Sequence, residues 1–191
     1  MAKTGWQEWL QAAKQATVAL KEKCGTVAVC GLSMGGLLAL LAAGQVRVNA
    51  CIPISTPMAT QNKWLRLAGI AAPFYPRVAW PLRASRREGV DKAYDYGYAG
   101  FPTRSAADLY HLIKLTRRNL SAVSCPILCV QSADDRTIWQ GSADTILKSV
   151  SSRDKQKLLL YGVPHVATLS VELPTIVKAV DSLMQKIVTK E

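Results

Sequence analysis

A serine flanked by glycines has the local context for nucleophilic chemistry. Ser33 stands in the stretch Gly31-Leu32-Ser33-Met34-Gly35, which fits the pattern G-x-S-x-G. In that pattern a strand enters a tight turn, the serine projects from the turn, and a helix follows. We expect glycine at 31 and 35 because a Cβ there would collide with neighbouring chain. The competing interpretation is a glycine-rich turn that binds phosphate or only shapes the backbone.

A serine hydroxyl is a weak nucleophile and needs an adjacent base, most often histidine. The chain contains two histidines, His111 and His165. His111 lies inside a helical pattern next to its apolar stripe, which favours a packing or surface position. His165 follows the strand-like run KLLLYG, in a loop that can reach across the end of a sheet. We therefore predict that His165 takes the proton of Ser33 and later gives it to the leaving alcohol.

The acid that orients this histidine should follow the preceding strand-like run, CPILCVQS. The loop after that run contains Asp134 and Asp135. Both carboxylates qualify by position, although only one can hold the imidazole, and the other would be a neighbour or a turn residue. The order serine, aspartate, histidine along the chain is the one this strand-turn-helix context requires.

The elements that must position these residues can be read from apolar patterns. A β-branched run at 25–30 predicts a strand before Ser33, and a Leu- and Ala-rich run at 34–43 predicts a buried helix after it. Amphipathic helices are predicted at 5–23 and 174–189. Three further strands are predicted at 49–55, 125–132 and 157–162. Such near-continuous apolar runs are typical of parallel strands covered on both faces, so we expect an α/β protein.

The segment 56–120 differs from its surroundings. It is rich in proline and contains no strand pattern, and its clearest helix is predicted at 105–120, where Ser105 and Asp108 resemble a capping box. We interpret 56–120 as a helical lid inserted between two strands of a single domain that spans 1–191.

Composition narrows the class of protein. Of the 191 residues, 49% are hydrophobic and 19% are charged, which indicates a globular domain. The five cysteines lack zinc-site spacing and are interpreted as reduced, mostly buried thiols of a cytoplasmic protein. No signal peptide is recognisable, and the longest apolar run, 37–43, is too short to cross a bilayer.

The net charge of +11 is the other unusual feature of the composition. Part of it lies in the basic stretch 77–87, which could attract an anionic surface weakly. We interpret it as a solvated basic face, and we predict no nucleic-acid partner because no nucleic-acid motif accompanies the charge.

Taken together, these motifs resemble the α/β-hydrolase superfamily, and specifically bacterial carboxylesterases related to monoacylglycerol lipases. GLSMGG resembles their nucleophile elbow, PILCVQSADDRTI their acid segment, and GVPHVATLS their histidine segment, with Pro164 where glycine is usual. The stretch GWQEWLQAAKQA resembles the helix that precedes their nucleophile strand. The match covers nearly all of the chain and is weakest in the lid.

The resemblance implies an α/β-hydrolase fold and a serine carboxylesterase that hydrolyses short- to medium-chain esters or monoacylglycerols without metal or cofactor. It implies a triad of Ser33, Asp135 and His165, with the Met34 N–H as one donor of the oxyanion hole. We also expect apolar lid side chains to contact the acyl chain, namely those of Trp64, Leu65, Ile70, Phe74 and Trp80.

The chain departs from this family at its N-terminus. Family members begin with several strands, which flank the nucleophile strand and carry a His-Gly segment with a second oxyanion donor. We therefore expect a fold that lacks its N-terminal strands, with strand 25–30 left at an open edge. Such a chain should be poorly stable or pair edge to edge with a second copy. The alternatives to an esterase are an acyltransferase and a non-catalytic fragment that binds a ligand or partner.

Overall fold

The computed structural model describes residues 3–60, 67–79 and 100–189. Its main sheet is formed by β1 (Ala28–Leu32), β2 (Ala50–Ile54), β5 (Ile127–Ser132) and β6 (Lys155–Leu160). All neighbouring strands of this sheet are parallel, in the order β1-β2-β5-β6. A separate antiparallel pair consists of β3 (Arg77–Ala79) and β4 (Gly100–Pro102).

Helices cover both faces of the sheet. Those in the described ranges are α1 (Trp6–Lys21), α2 (Met34–Gln45), α3 (Ala68–Ala71), α4 (Thr103–Asn119), α5 (Ser142–Ser149) and α6 (Leu173–Val188). Because successive side chains of a strand point to opposite faces, Cys129 joins the core formed with α1, α2, α4 and α5. Leu128 and Val130 join the core formed with α6. The sheet therefore lies between two helical layers, which is the α/β architecture predicted from the sequence.

Burial explains why the strand patterns could be recognised. Every residue of β2 and of β5 is buried, as expected for central parallel strands. Helix α2 is also largely buried, which accounts for its apolar character on almost every side. In the described part of the chain none of the helices has the length and apolarity that a bilayer span requires.

Two predictions within the segment 56–120 are corrected by the structure. Short strands do occur there, since β3 pairs with β4 through three residues on each side. Helix α4 begins at Thr103, so Ser105 and Asp108 lie inside its first turns and do not form a capping box. The Ser105 Oγ and Asp108 Oδ2 atoms are buried without a hydrogen-bond partner in the described structure. The pattern was misassigned because two polar residues inside the first turns have the spacing of a cap, whereas Pro102 takes the N-cap position.

Candidate active site

Ser33 occupies the turn between β1 and α2. Its backbone has a φ of 54° and a ψ of −116°, a conformation that residues other than glycine rarely adopt. Such a conformation costs about 1–3 kcal/mol and persists only where the surroundings enforce it. Here the Ser33 N–H donates to the Ile54 carbonyl at 2.8 Å, which ties the turn to the end of β2.

Close packing around this turn requires glycine at two positions, and one of the two is not the position that was predicted. A Cβ on Gly31 would clash with the backbone of Gly35, as expected. A Cβ on Gly35 would meet no atom within 4 Å, so the expected collision at that position is wrong. The second crowded position is Gly36, where a Cβ would clash with the Thr56 side chain. The close packing of α2 against the end of β2 therefore requires Gly36.

His165 lies between Ser33 and Asp135 and contacts both. Its Nε2 is 2.9 Å from the Ser33 Oγ, and its Nδ1 is 2.6 Å from the Asp135 Oδ2. The three residues follow β1, β5 and β6, whose carboxyl ends meet at one edge of the sheet because the strands are parallel. Residues far apart in the sequence thus form one continuous hydrogen-bonded chain.

The two aspartates of the acid loop have different environments. Asp135 is only 2% exposed, and its Oδ1 accepts hydrogen bonds from the Thr137 and Ile138 N–H groups at 2.8 and 3.3 Å. These donors stabilise a carboxylate whose other oxygen faces the histidine. Asp134 is exposed and accepts a hydrogen bond from the Gly162 N–H at 2.6 Å. Of the two candidates, Asp135 is therefore the one beside the imidazole.

The second histidine of the chain, His111, does not contact this site. His111 is on α4, and its ring stacks on that of Trp6, with ring centroids 4.8 Å apart. His111 is exposed and this contact joins α4 to α1, so it has the packing or surface position that its helical pattern indicated.

Met34 is the first residue of α2, directly after Ser33. The first N–H groups of a helix have no partner within the helix, and the N-terminal end carries a partial positive charge. The predicted oxyanion donor is thus located at a helix terminus suited to developing negative charge.

Two of the five side chains predicted to contact the acyl chain lie within the described residues. Ile70 is 73% exposed and Phe74 is 78% exposed, so neither side chain is packed into the core. The other three residues of that prediction, Trp64, Leu65 and Trp80, lie outside the described residues.

A glutamine that the sequence analysis did not single out supports the acid loop. Gln131 is buried in β5, and its Nε2 donates to the Gln140 carbonyl at 2.5 Å. Its Oε1 accepts from the Ala143 N–H at 2.8 Å, so one side chain ties the end of β5 to the far end of the loop, where α5 begins. The available signal was an amide side chain within an otherwise apolar strand.

The cysteines form no disulfide, and the prediction that most are buried is only partly right. Cys51 and Cys129 are buried, whereas Cys24 and Cys30 are exposed. Burial raises the pKa of Cys125 to about 11 and that of Cys129 to about 12, and it raises the pKa of Cys51 well above its usual range. These three thiols are therefore protonated at neutral pH. The described residues contain no cluster of three or more His, Cys, Asp or Glu side chains that could hold a metal ion.

Known proteins resemble this chain over most of its length. The model of the family Hydrolase_4, described as "Serine aminopeptidase, S33", matches residues 4–169. The thermostable monoacylglycerol lipase of Bacillus sp. (strain H-257) is 30% identical over 93% of this chain and 70% of its own length. The carboxylesterase of Bacillus subtilis (strain 168) is 25% identical over 96% of this chain and 74% of its own length.

A solved structure agrees with these relatives. This structure is described under the heading of LipS and LipT, two metagenome-derived lipolytic enzymes. It superposes on this chain with a TM-score of 0.87 at 25% sequence identity. The superposition covers 97% of this chain and 75% of that chain. With the family match, the relatives and the parallel sheet in agreement, the chain belongs to the family Hydrolase_4 and is an α/β-hydrolase of the carboxylesterase and monoacylglycerol-lipase type.

Proposed function

We propose that this carboxylic ester hydrolase acts through Ser33 as nucleophile, His165 as general base and Asp135 as the acid that orients the imidazole. The observation that carries the proposal is the continuous contact from the Ser33 Oγ through both ring nitrogens to the Asp135 Oδ2, at 2.9 and 2.6 Å. A nucleophile, a base and an orienting group in hydrogen-bond reach of one another form the arrangement that activates a serine.

In the proposed reaction the Ser33 Oγ attacks the ester carbonyl while the His165 Nε2 takes its proton. The Met34 N–H donates to the oxygen that becomes negative, where the N-terminal end of α2 adds a favourable field. The imidazolium then gives its proton to the leaving alcohol, which departs and leaves an acyl group on Ser33. Water activated by the same histidine hydrolyses this acyl-enzyme and regenerates the serine.

The substrate class that we propose is short- to medium-chain esters or monoacylglycerols. Its support is the relative named as a monoacylglycerol lipase and the exposed apolar side chains of Ile70 and Phe74. We further propose that the segment 56–120 forms the lid over the acyl chain. Apolar contacts of this kind change selectivity by about 10–200-fold per methylene group, so the lid would decide the preferred chain length.

The direct test is hydrolysis of p-nitrophenyl butyrate and of a 1-monoacylglycerol, with fluorophosphonate labelling mapped by mass spectrometry. Ser33→Ala should lower kcat by about 10⁴-fold or more and abolish labelling, because no other group replaces the nucleophile. The matched control is Ser182→Ala, which removes an exposed hydroxyl that bonds only within α6, to the Lys178 carbonyl. Labelling of a different serine, or of none in a folded sample, would contradict the proposal.

A further inference from the structure

One buried hydroxyl joins the loop that carries the proposed acid to the loop that carries the proposed base. Ser132 is the last residue of β5 and is completely buried. Its Oγ donates to the Val163 carbonyl at 2.6 Å and accepts from the Asp134 N–H at 3.1 Å. Asp134 immediately precedes Asp135, and Val163 lies two residues before His165. Both bonds therefore act on backbone adjoining the proposed triad.

A second contact between the same loops is formed by the Asp134 carboxylate. Its Oδ2 accepts from the Gly162 N–H at 2.6 Å, and Gly162 has a φ of 68°, a conformation that favours glycine. The Ala133 N–H also donates to the Leu160 carbonyl at 2.8 Å, which continues the pairing of β5 and β6 up to the loops. We call the Ser132 hydroxyl and the Asp134 carboxylate the loop clasp.

We infer that Ser132 is a positioning residue for ester hydrolysis, an inference that rests on the proposed function. The contact between the His165 Nδ1 and the Asp135 Oδ2 spans two loops, so its length of 2.6 Å depends on how far apart these loops are held. Ser132 sets that separation because its one hydroxyl bonds to both loops. The loop clasp keeps the imidazole aligned between acid and nucleophile.

The energetic argument favours an effect on rate rather than on substrate binding. Ser132→Ala would leave the carbonyl of the buried Val163 and the N–H of Asp134 without this hydrogen-bond partner, and each loop could relax independently. A misplacement of about 1 Å among reacting groups costs on the order of 10²-fold in rate. Because Ser132 is completely buried, its loss should not remove a contact with substrate.

The experiment compares kcat, KM and thermal stability of Ser132→Ala with those of a matched control, Ser170→Ala. Ser170 is also buried, and its Oγ likewise donates to a carbonyl, that of Ala167, and accepts from an N–H, that of Glu172. Both of its bonds stay within one turn before α6. We expect Ser132→Ala to lower kcat by about 10–100-fold with KM within threefold. Ser170→Ala should keep kcat within threefold at a similar loss of Tm.

A conservative variant separates positioning from general destabilisation. Ser132→Thr retains the hydroxyl and should recover at least a tenth of the wild-type kcat even if its added methyl group lowers the Tm. If Ser132→Ala does not fold, Asp134→Ala removes the exposed half of the loop clasp and should lower kcat by about three- to tenfold with KM unchanged.

The failure of this inference can be told apart from failure of the proposed function. A folded Ser132→Ala variant with wild-type kcat, alongside an inactive Ser33→Ala variant, would overturn the positioning role and leave the triad intact. Where Ser132→Ala is unfolded, a wild-type kcat for Asp134→Ala would overturn the positioning role of the loop clasp. An active Ser33→Ala variant would instead contradict the proposed function itself.

Discussion

At the scale of single residues, the two histidines of the chain should respond differently to removal. His165→Ala deletes the only imidazole in contact with Ser33 and Asp135, so kcat should fall by about 10⁴-fold or more with little change in Tm. His111→Ala removes the ring that stacks on Trp6, so the Tm should fall while kcat stays within a few fold. Steady-state kinetics and thermal melting of both variants provide the check. Comparable losses of kcat in the two would contradict the assignment of the base.

The two neighbouring aspartates form a second matched pair. Asp135→Asn should lower kcat by about 10⁴-fold because an amide favours the wrong tautomer of His165. Asp134→Asn keeps an oxygen that can accept from the Gly162 N–H, so its kcat should stay within about threefold of wild type. Both substitutions remove one negative charge, so a general electrostatic effect would appear in both. A larger loss in Asp134→Asn than in Asp135→Asn would show that the acid is assigned to the wrong residue.

At the scale of elements, the contact between α2 and the end of β2 should tolerate alanine at one glycine and not at the next. Gly36→Ala places a Cβ against the Thr56 side chain, so the strand-turn-helix unit must open and both the Tm and kcat should fall. The Cβ added by Gly35→Ala meets open space. The free energy of unfolding should therefore stay unchanged or rise by up to about 1 kcal/mol, since alanine is the better helix former. Denaturant unfolding and steady-state kinetics of the two variants measure the changes in stability and in kcat. Equal losses in both would mean that crowding at Thr56 does not govern the turn.

The proposed lid is an element whose effect should appear in selectivity. Ile70→Ala and Phe74→Ala remove side chains that are mostly exposed, so the free energy of unfolding should change by less than about 0.5 kcal/mol. If these side chains contact the acyl chain, the ratio of kcat/KM between octanoate and butyrate esters should shift several fold. Val171→Ala, a mostly exposed apolar residue before α6, is the control. An unchanged ratio in both lid variants would remove these two residues from the proposed acyl-binding surface.

At the scale of the whole molecule, the arrangement of the main sheet leads to a prediction about assembly. Within the described residues β1 is an outermost strand, with only β2 paired to it. A groove of about 380 Å³ lies beside it, with a mostly apolar lining from α1, β1 and α2 that includes Leu20, Cys30 and Leu38. Neither lysine nor proline occurs in β1 to discourage pairing. The pairing of two copies through this edge, which the sequence analysis expects for these 191 residues, stays a prediction.

Sedimentation and thermal melting of the 191-residue chain test the pairing. We expect a concentration-dependent dimer, or a broad melting transition at low concentration, and Cys30→Lys should disfavour the dimer by placing a charge on the edge. Cys30 also serves as a reporter, since partial desolvation raises its pKa, so its labelling with iodoacetamide at neutral pH should be slow and slower still in the dimer. Cys24, which is exposed and lies outside β1, is the internal control. A monodisperse monomer that melts cooperatively would contradict the prediction.

The sequence by itself determined the α/β class, the strand-turn-helix context of Ser33 and the loop position of His165. These features follow from local patterns: apolar runs for buried strands, glycine beside a constrained turn, and the order of residues along the chain. Asp135 was separated from Asp134 only by resemblance, because two adjacent carboxylates in one loop have the same local pattern. The two aspartates can be told apart by their contacts only when β5 and β6 are placed side by side in one sheet.

The tertiary structure alone decided those features that depend on neighbours distant in the chain. Gly36 rather than Gly35 is crowded because Thr56 packs there from the end of β2. The start of α4 at Thr103 was missed because two polar residues in its first turns imitate a cap. Ser132 was not recognised, since a serine at the end of a strand has no distinctive pattern until its partners Val163 and Asp134 are placed around it. Long-range packing creates these roles, and no local stretch of sequence encodes them.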